Sequence, residues 1–100
     1  MNPQNEVNLV STEETWQIKA FADLAASQAA GSNILKNVLP HFERADRLYG
    51  AALVLQDEEL IRQDYAKMLR SWANVYRSDG LEAEAERWEA KADGIWKAGH

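Results

Sequence analysis

Apolar residues recur at intervals of three and four along most of the chain, and nowhere do they alternate at an interval of two for long enough to make a strand. Four helical segments follow from that pattern. The first is expected from about Glu13 to Ala30, with Ser11 or Thr12 as a hydroxyl cap and acids in its first turn. Ile18, Phe21, Ala22, Ala25 and Ala29 mark its apolar row, and Trp16, Ala20 and Leu24 form a second row beside it. Gly31-Ser32-Asn33 ends it. Residues 1–11, with Pro3 and no period, read as a disordered lead to one all-helical domain over 12–100.

The second region spans Ile34 to Leu55, with Leu35, Val38, Phe42, Ala45, Tyr49 and Ala52 on its buried face. Pro40 lies inside it and leaves two alternatives: a kinked helix, or a short helix followed by another. The element count is therefore four or five. Asp57 is expected to cap the third helix. Ile61, Tyr65, Met68, Leu69, Trp72, Val75 and Tyr76 then fall within roughly 120° of arc at 100° per residue. Gly80 is placed for a left-handed C-cap. The fourth helix runs from about Leu81 to Ala98, with Leu81, Ala85, Trp88, Ala92, Ile95 and Trp96 inward. The fold class is all-α, built of antiparallel helical hairpins.

One spacing in the third and fourth helices carries a family likeness. Leu69-x₂-Trp72-Ala73-x₂-Tyr76, the bend at Gly80, and small residues at Ala85 and Ala92 resemble a tetratricopeptide-repeat hairpin. Ala45-x₃-Tyr49 with Ala52 and Leu53 is similar to the end of a preceding repeat. Glu89 stands where that family has an aromatic, and Asp57 and Lys97 where it has proline. Ala45 to Ala85 is 40 residues (85 − 45), against about 34 in the family. The resemblance covers residues 45–98 and implies stacked hairpins whose concave side binds peptides. A four-helix bundle is the other architecture the pattern allows.

Composition narrows the function classes. Hydrophobic residues are 46% and charged residues 27%, proportions that exclude disorder over the whole length. The absence of Cys removes disulfides, thiolate metal sites and thiol nucleophiles. MNPQNEVNLV has neither the basic start nor the apolar core of a signal peptide, and no apolar run reaches membrane-spanning length. Cytoplasmic residence without membrane contact is the expectation. A net charge of −5 argues against direct nucleic-acid binding, which draws its affinity from phosphate neutralisation.

Catalytic chemistry is poorly represented. His41 and His100 are the two histidines, read as an exposed turn residue and a disordered end, and neither forms a paired metal-ligand motif. No nucleophile elbow, phosphate loop or dinucleotide fingerprint occurs. The chain is expected to be no enzyme and to need no cofactor or metal. Among the tryptophans, Trp16, Trp72 and Trp88 read as core. Trp96, near the end of the last helix, is the candidate partner-binding anchor.

Glu82, Glu86, Glu89 and Asp93 make one acidic row on the fourth helix, with Arg87 and Lys91 on the other flank. That row reads either as a solvated mixed-charge surface or as an electrostatic docking edge for a basic partner. Ala83, Ala90 and Gly94 lie on the back of the same helix. The leading expectation is a small interaction module, an adaptor or inhibitor that docks on a protein. The alternatives are a structural homo-oligomer, as a helical-bundle dimer, and an acidic mimic that blocks a nucleic-acid-binding protein.

Overall fold

The computed structural model describes the backbone of residues 3–99 and the side chains of residues 13–99. It contains α1 (Pro3–Ala29), α2 (Leu35–Leu55), α3 (Glu59–Ser78) and α4 (Glu82–Ala98), with no strand among the described residues. The all-α expectation of antiparallel hairpins holds. α1 starts at Pro3 rather than near Glu13. Ser11 and Thr12 therefore lie inside α1 and neither is its cap, while the side chains of the expected lead over 1–11, and His100, fall outside the described ones.

α1 carries two opposed apolar arcs, and the one made of small residues is buried. Ala22, Ala25 and Ala29 are sealed against α2, together with Thr15 and Lys19. Trp16, Phe21 and Leu24 are exposed, which corrects the expectation that Trp16 belongs to the core. The reason lies in the neighbour. α2 brings the bulk, with Val38, Phe42 and Tyr49 buried beside Ala45 and Ala52. Large side chains on α2 need small ones opposite them if the two helices are to close to contact distance.

α2 is one continuous helix. Pro40 falls in its second turn, where it withholds a donor from the Lys36 carbonyl alone, and the helix runs through it. His41 therefore lies within a helix rather than in an exposed turn. It is half-buried, and its buried Nδ1 has no hydrogen-bond partner.

Glu58, not Asp57, occupies the cap position of α3, and its side chain makes no cap bond. Asp57 instead accepts two hydrogen bonds from Arg62, Nε to Oδ1 at 2.6 Å and Nη2 to Oδ2 at 2.7 Å. The hydrogen bond from Arg62 holds the Asp57 carboxyl below its ordinary range. Arg62 Nη1 also donates to the Ile95 carbonyl at 2.8 Å. That oxygen is one of the last four of α4, which have no partner within their own helix. One guanidinium thus ties the end of α4 to the turn before α3.

The α3–α4 turn follows the glycine rule. Gly80 has φ 78°, the Gly80 amide donates to the Arg77 carbonyl at 3.0 Å, and the Leu81 amide donates to the Tyr76 carbonyl at 2.9 Å. These two bonds form a Schellman motif, which needs a left-handed residue at this place. Leu81, expected inward, is exposed as the residue preceding α4.

The helices pack in chain order: α1 on α2, α2 on α3, and α3 on α4, with a slight approach of α1 to α3. α1 and α4 do not meet among the described residues. The result is a zigzag of two layers, α1 and α3 in one and α2 and α4 in the other, rather than a closed ring of four. A Cα radius of gyration of 15.0 Å exceeds the roughly 13 Å of a compact 100-residue domain, in keeping with an open array and a long first helix.

A pile of aromatic rings threads three helices. Trp72 of α3 stacks on Phe42 of α2 at 5.4 Å between centroids and on Trp88 of α4 at 3.7 Å. Tyr49 of α2 and Tyr65 of α3 stack in parallel at 5.4 Å. Such pairs add about 0.5–1.5 kcal/mol each beyond the area they bury.

Candidate functional site

The zigzag leaves a groove on each face. On one face, α1 and α3 are the walls and α2 is the floor. Asp23, Ala26, Ser27 and Ala30 line it from α1, Phe42 and Tyr49 from α2, and Asp64, Lys67, Met68 and Ser71 from α3. Its volume is about 330 Å³. A second hollow of about 240 Å³ continues it toward Asn33 and Ser78, sharing Ala30, Phe42 and Ser71.

Beside this groove lies a polar network centred on a buried lysine. Lys19 is 7% exposed, yet it lies on the side of α1 that faces the other helices. Its Nζ reaches Asp23 Oδ2 at 2.7 Å and Asp64 Oδ2 at 2.8 Å. The Tyr49 hydroxyl donates to Asp23 Oδ1 at 2.5 Å. Burial opposes the charge on Lys19, but the hydrogen bonds from its ammonium to the two carboxylates outweigh that, and the group is held above its ordinary value. Burial, reinforced by the bond to Asp23, pushes the Tyr49 phenol far up. Asp23 and Asp64 remain half-open to solvent, with side chains 44% and 32% exposed. The groove therefore offers two oriented carboxylates beside apolar surface.

The opposite groove, about 440 Å³, runs between α2 and α4 over Trp72 and Tyr76 of α3. Its polar lining is mixed in sign: Glu43, Asp46 and Glu84 against Arg47 and Arg87. Asp46 accepts from the Tyr65 hydroxyl and lies 2.8 Å from Lys91 Nζ. Burial, and then Asp46, raise the Tyr65 phenol as Asp23 does for Tyr49. Arg87 lies 5.6 Å over the Trp88 ring and Lys91 5.5 Å over it. Each face thus has an Asp–Tyr–Lys cluster that joins consecutive helices, with the two tyrosine rings stacked back to back.

The residues singled out in the sequence lie elsewhere. Arg77 pairs with Glu82 at 3.1 Å and Glu89 at 2.6 Å, and Arg70 with Asp93 at 3.2 Å. Three members of the acidic row are engaged across the α3–α4 seam, and the fourth, Glu86, is exposed on the outside of α4. Arg77 is held above its ordinary value, first by Glu89 and then by Glu82. Trp96 is half-buried and packs against the core cluster. None of these five residues lines either groove.

Lys19, Asp23 and Asp64 escaped the sequence reading, which placed Tyr49 on the buried face of α2 but gave its hydroxyl no partner. One signal was available: Lys19 lies on the same side of its helix as Thr15 and Ala22, and Asp23 follows it by one turn. The partners on α2 and α3 have no local trace.

Among the described residues no three His, Asp or Glu side chains converge as a metal site requires, and no helix is long and apolar enough to cross a membrane. No family model matches the chain, and neither a curated protein nor a solved structure matches it.

Proposed function

We propose that this chain is a helical protein-interaction module without catalytic activity, and that it holds a segment of a partner protein in the groove between α1 and α3. The observation that carries this reading is the fixed pair of carboxylates. Asp23 and Asp64 are oriented by Lys19 and Tyr49 but keep open sides, and they stand beside Ala26, Met68 and Phe42. A segment with a basic side chain for the open carboxylate oxygens, an acceptor for Lys67 and apolar residues between them matches that lining in charge. The resemblance of residues 45–98 to tetratricopeptide hairpins, a family that binds peptides on its concave side, points the same way for the part of the groove that α2 and α3 form.

Catalysis is disfavoured by the chemistry of the same groups. A general acid or base works best with a pKa near the working pH. Here the lysine and the tyrosine are both driven upward, away from neutrality, and both are committed to structural bonds.

The test is selection of a displayed random-peptide library on the immobilised protein. Enriched peptides should carry a basic residue beside apolar ones. Their affinity should fall at least tenfold in the groove-filling variants Ser71→Arg and Ala30→Arg, both at exposed positions. Peptides that bind both variants as they bind the unsubstituted protein would place the site elsewhere.

A further inference from the structure

The helices form two hairpins, and the contact between the hairpins is thinner than the contact within either. α1 lies along α2 and α3 along α4, while the seam is the α2–α3 packing and the slight approach of α1 to α3. α2 and α4 make no backbone contact among the described residues. Two stacked ring pairs occupy the seam. Phe42 lies on Trp72 with the planes 5° apart, and Tyr49 on Tyr65 with the planes 19° apart. The two pairs lie roughly two turns, or about 10 Å, apart on each helix, and so mark a line along α2 and α3. The link between these helices is extended at Gln56 and Glu58 and joins them at one end of that line. Flat ring faces can slide on each other while staying covered, which suits a small shear or tilt between packed helices.

An ion pair crosses the seam on each face. On one, Lys19 Nζ of α1 reaches Asp64 Oδ2 of α3 at 2.8 Å, beside the groove between α1 and α3. On the other, Lys91 Nζ of α4 reaches Asp46 Oδ1 of α2 at 2.8 Å, beside the groove between α2 and α4. Both pairs stand at the level of the stacked tyrosines. Asp46 accepts from the Tyr65 hydroxyl, and Asp23, the other carboxylate on Lys19, accepts from the Tyr49 hydroxyl.

We infer that the two hairpins rock as bodies about the line of stacked rings, with Lys19–Asp64 and Lys91–Asp46 as opposed latches that set the angle. The zigzag fixes the sign of the motion. α1 and α3 are in one layer, α2 and α4 in the other, and the line runs between the layers. A tilt that parts α1 from α3 must bring α2 toward α4. One groove therefore opens as the other shuts.

The distribution of polar contacts suits this division. Within the α3–α4 hairpin, Arg62 holds the Ile95 carbonyl, Arg70 pairs with Asp93, and Arg77 with Glu82 and Glu89. Each latch across the seam is instead a single lysine, a point charge without the fixed fork of arginine. The carboxylates they hold reach water, with the Asp64 side chain 32% exposed and that of Asp46 22%, so another cation can compete for them. One consequence rests on the peptide reading above. A basic side chain that takes Asp64 from Lys19 opens the groove it enters and narrows the other over Trp72 and Trp88. The rocking itself needs no partner, and peptide selection and rocking can fail separately.

The chain has no native cysteine, so spin labels can be placed in pairs at the exposed positions Ala20, Arg44, Gln63 and Ala90, one on each helix. Pulsed dipolar spectroscopy reads Ala20–Gln63 and Arg44–Ala90 across the seam, and Ala20–Arg44 and Gln63–Ala90 within the hairpins. Lys19→Met leaves Asp23 and Asp64 as like charges on α1 and α3. It should lengthen Ala20–Gln63 by on the order of 1–2 Å and shorten Arg44–Ala90, with both distances within the hairpins unchanged. Asp64→Asn removes the same attraction without touching the buried lysine and should give the same signs, so poor folding of one variant does not decide the outcome. Lys91→Met releases the opposite latch and should reverse both signs. Seam distances that stay fixed in all three variants, or that change in the same sense as each other, overturn the proposal. So does a change of equal size within either hairpin.

Discussion

Replacing Lys19 with Met tests how the layers are held together and how open the groove is. Met has nearly the length of the lysine stem, so packing along α1 is kept while the ammonium is removed. Two ion pairs are lost, at 2.7 and 2.8 Å. At an effective dielectric constant near 20, each is worth on the order of 4 kcal/mol before desolvation. Against that stands the cost of burying the ammonium, several kcal/mol, which the substitution recovers. Asp23 and Asp64 are left without their cation, but both side chains reach water, and Asp23 keeps the Tyr49 hydroxyl.

The net effect should lie between an exposed pair, about 0–1 kcal/mol, and a broken buried pair, about 3–5 kcal/mol. We expect a loss of about 2 kcal/mol. Urea unfolding followed by circular dichroism at 222 nm measures it, and the loss corresponds to roughly 8–16 °C in Tm for a domain of this size. No loss at all would mean that the recovered desolvation cost cancels both ion pairs, so that Lys19 does not hold the layers together. A loss above about 4 kcal/mol would mean that the two carboxylates are sealed from water, and the groove could not present them to a partner.

Three further outcomes follow from the packing. Lys19, Tyr49 and Tyr65 all have raised values in the fold, so their contribution is complete below about pH 10 and is lost as pH rises through the folded values; in a Tyr76→Phe variant, which leaves only these two tyrosines, absorbance of tyrosinate near 295 nm should therefore appear together with helix loss, and its appearance while the helices persist would refute the burial of those hydroxyls. Trp72→Phe should cost under about 1.5 kcal/mol, because relief of the unpartnered indole Nε1 offsets the lost ring area, whereas Trp72→Ala should cost about 3–5 kcal/mol; equal costs in urea melts would contradict this. Gly80→Ala should cost about 1–2 kcal/mol through backbone strain alone, since nothing lies within 4 Å of an added Cβ, and a neutral result by thermal melt would argue against the left-handed cap.

The acidic row shows where local spacing stops being informative. Intervals of 4, 3 and 4 put Glu82, Glu86, Glu89 and Asp93 on one side of α4, and the helix honours that. Whether the row faces a partner or its own protein depends on what stands opposite. Arg70 and Arg77 lie on α3, and only the closing of the hairpin at Gly80 brings them across. The same holds for Asp46, whose partners Tyr65 and Lys91 come from two later helices.

The chain alone determined the helical class, the ends of the last three helices to within two residues, the buried faces of α2 and α3, and the turn at Gly80. All of these are short-range matters of periodicity, backbone strain and capping, settled within a few residues of chain. Tertiary structure decided which arc of α1 is inside. Hydrophobicity favours Trp16, Phe21 and Leu24, but Phe42 and Tyr49 on α2 need the room that Ala22, Ala25 and Ala29 leave. It also decided that Lys19 is a buried cation rather than a surface one, because the carboxylate of Asp64 arrives from a helix forty-odd residues along the chain. Volume and charge must balance across a contact, and neither helix carries the other half of that balance in its own sequence.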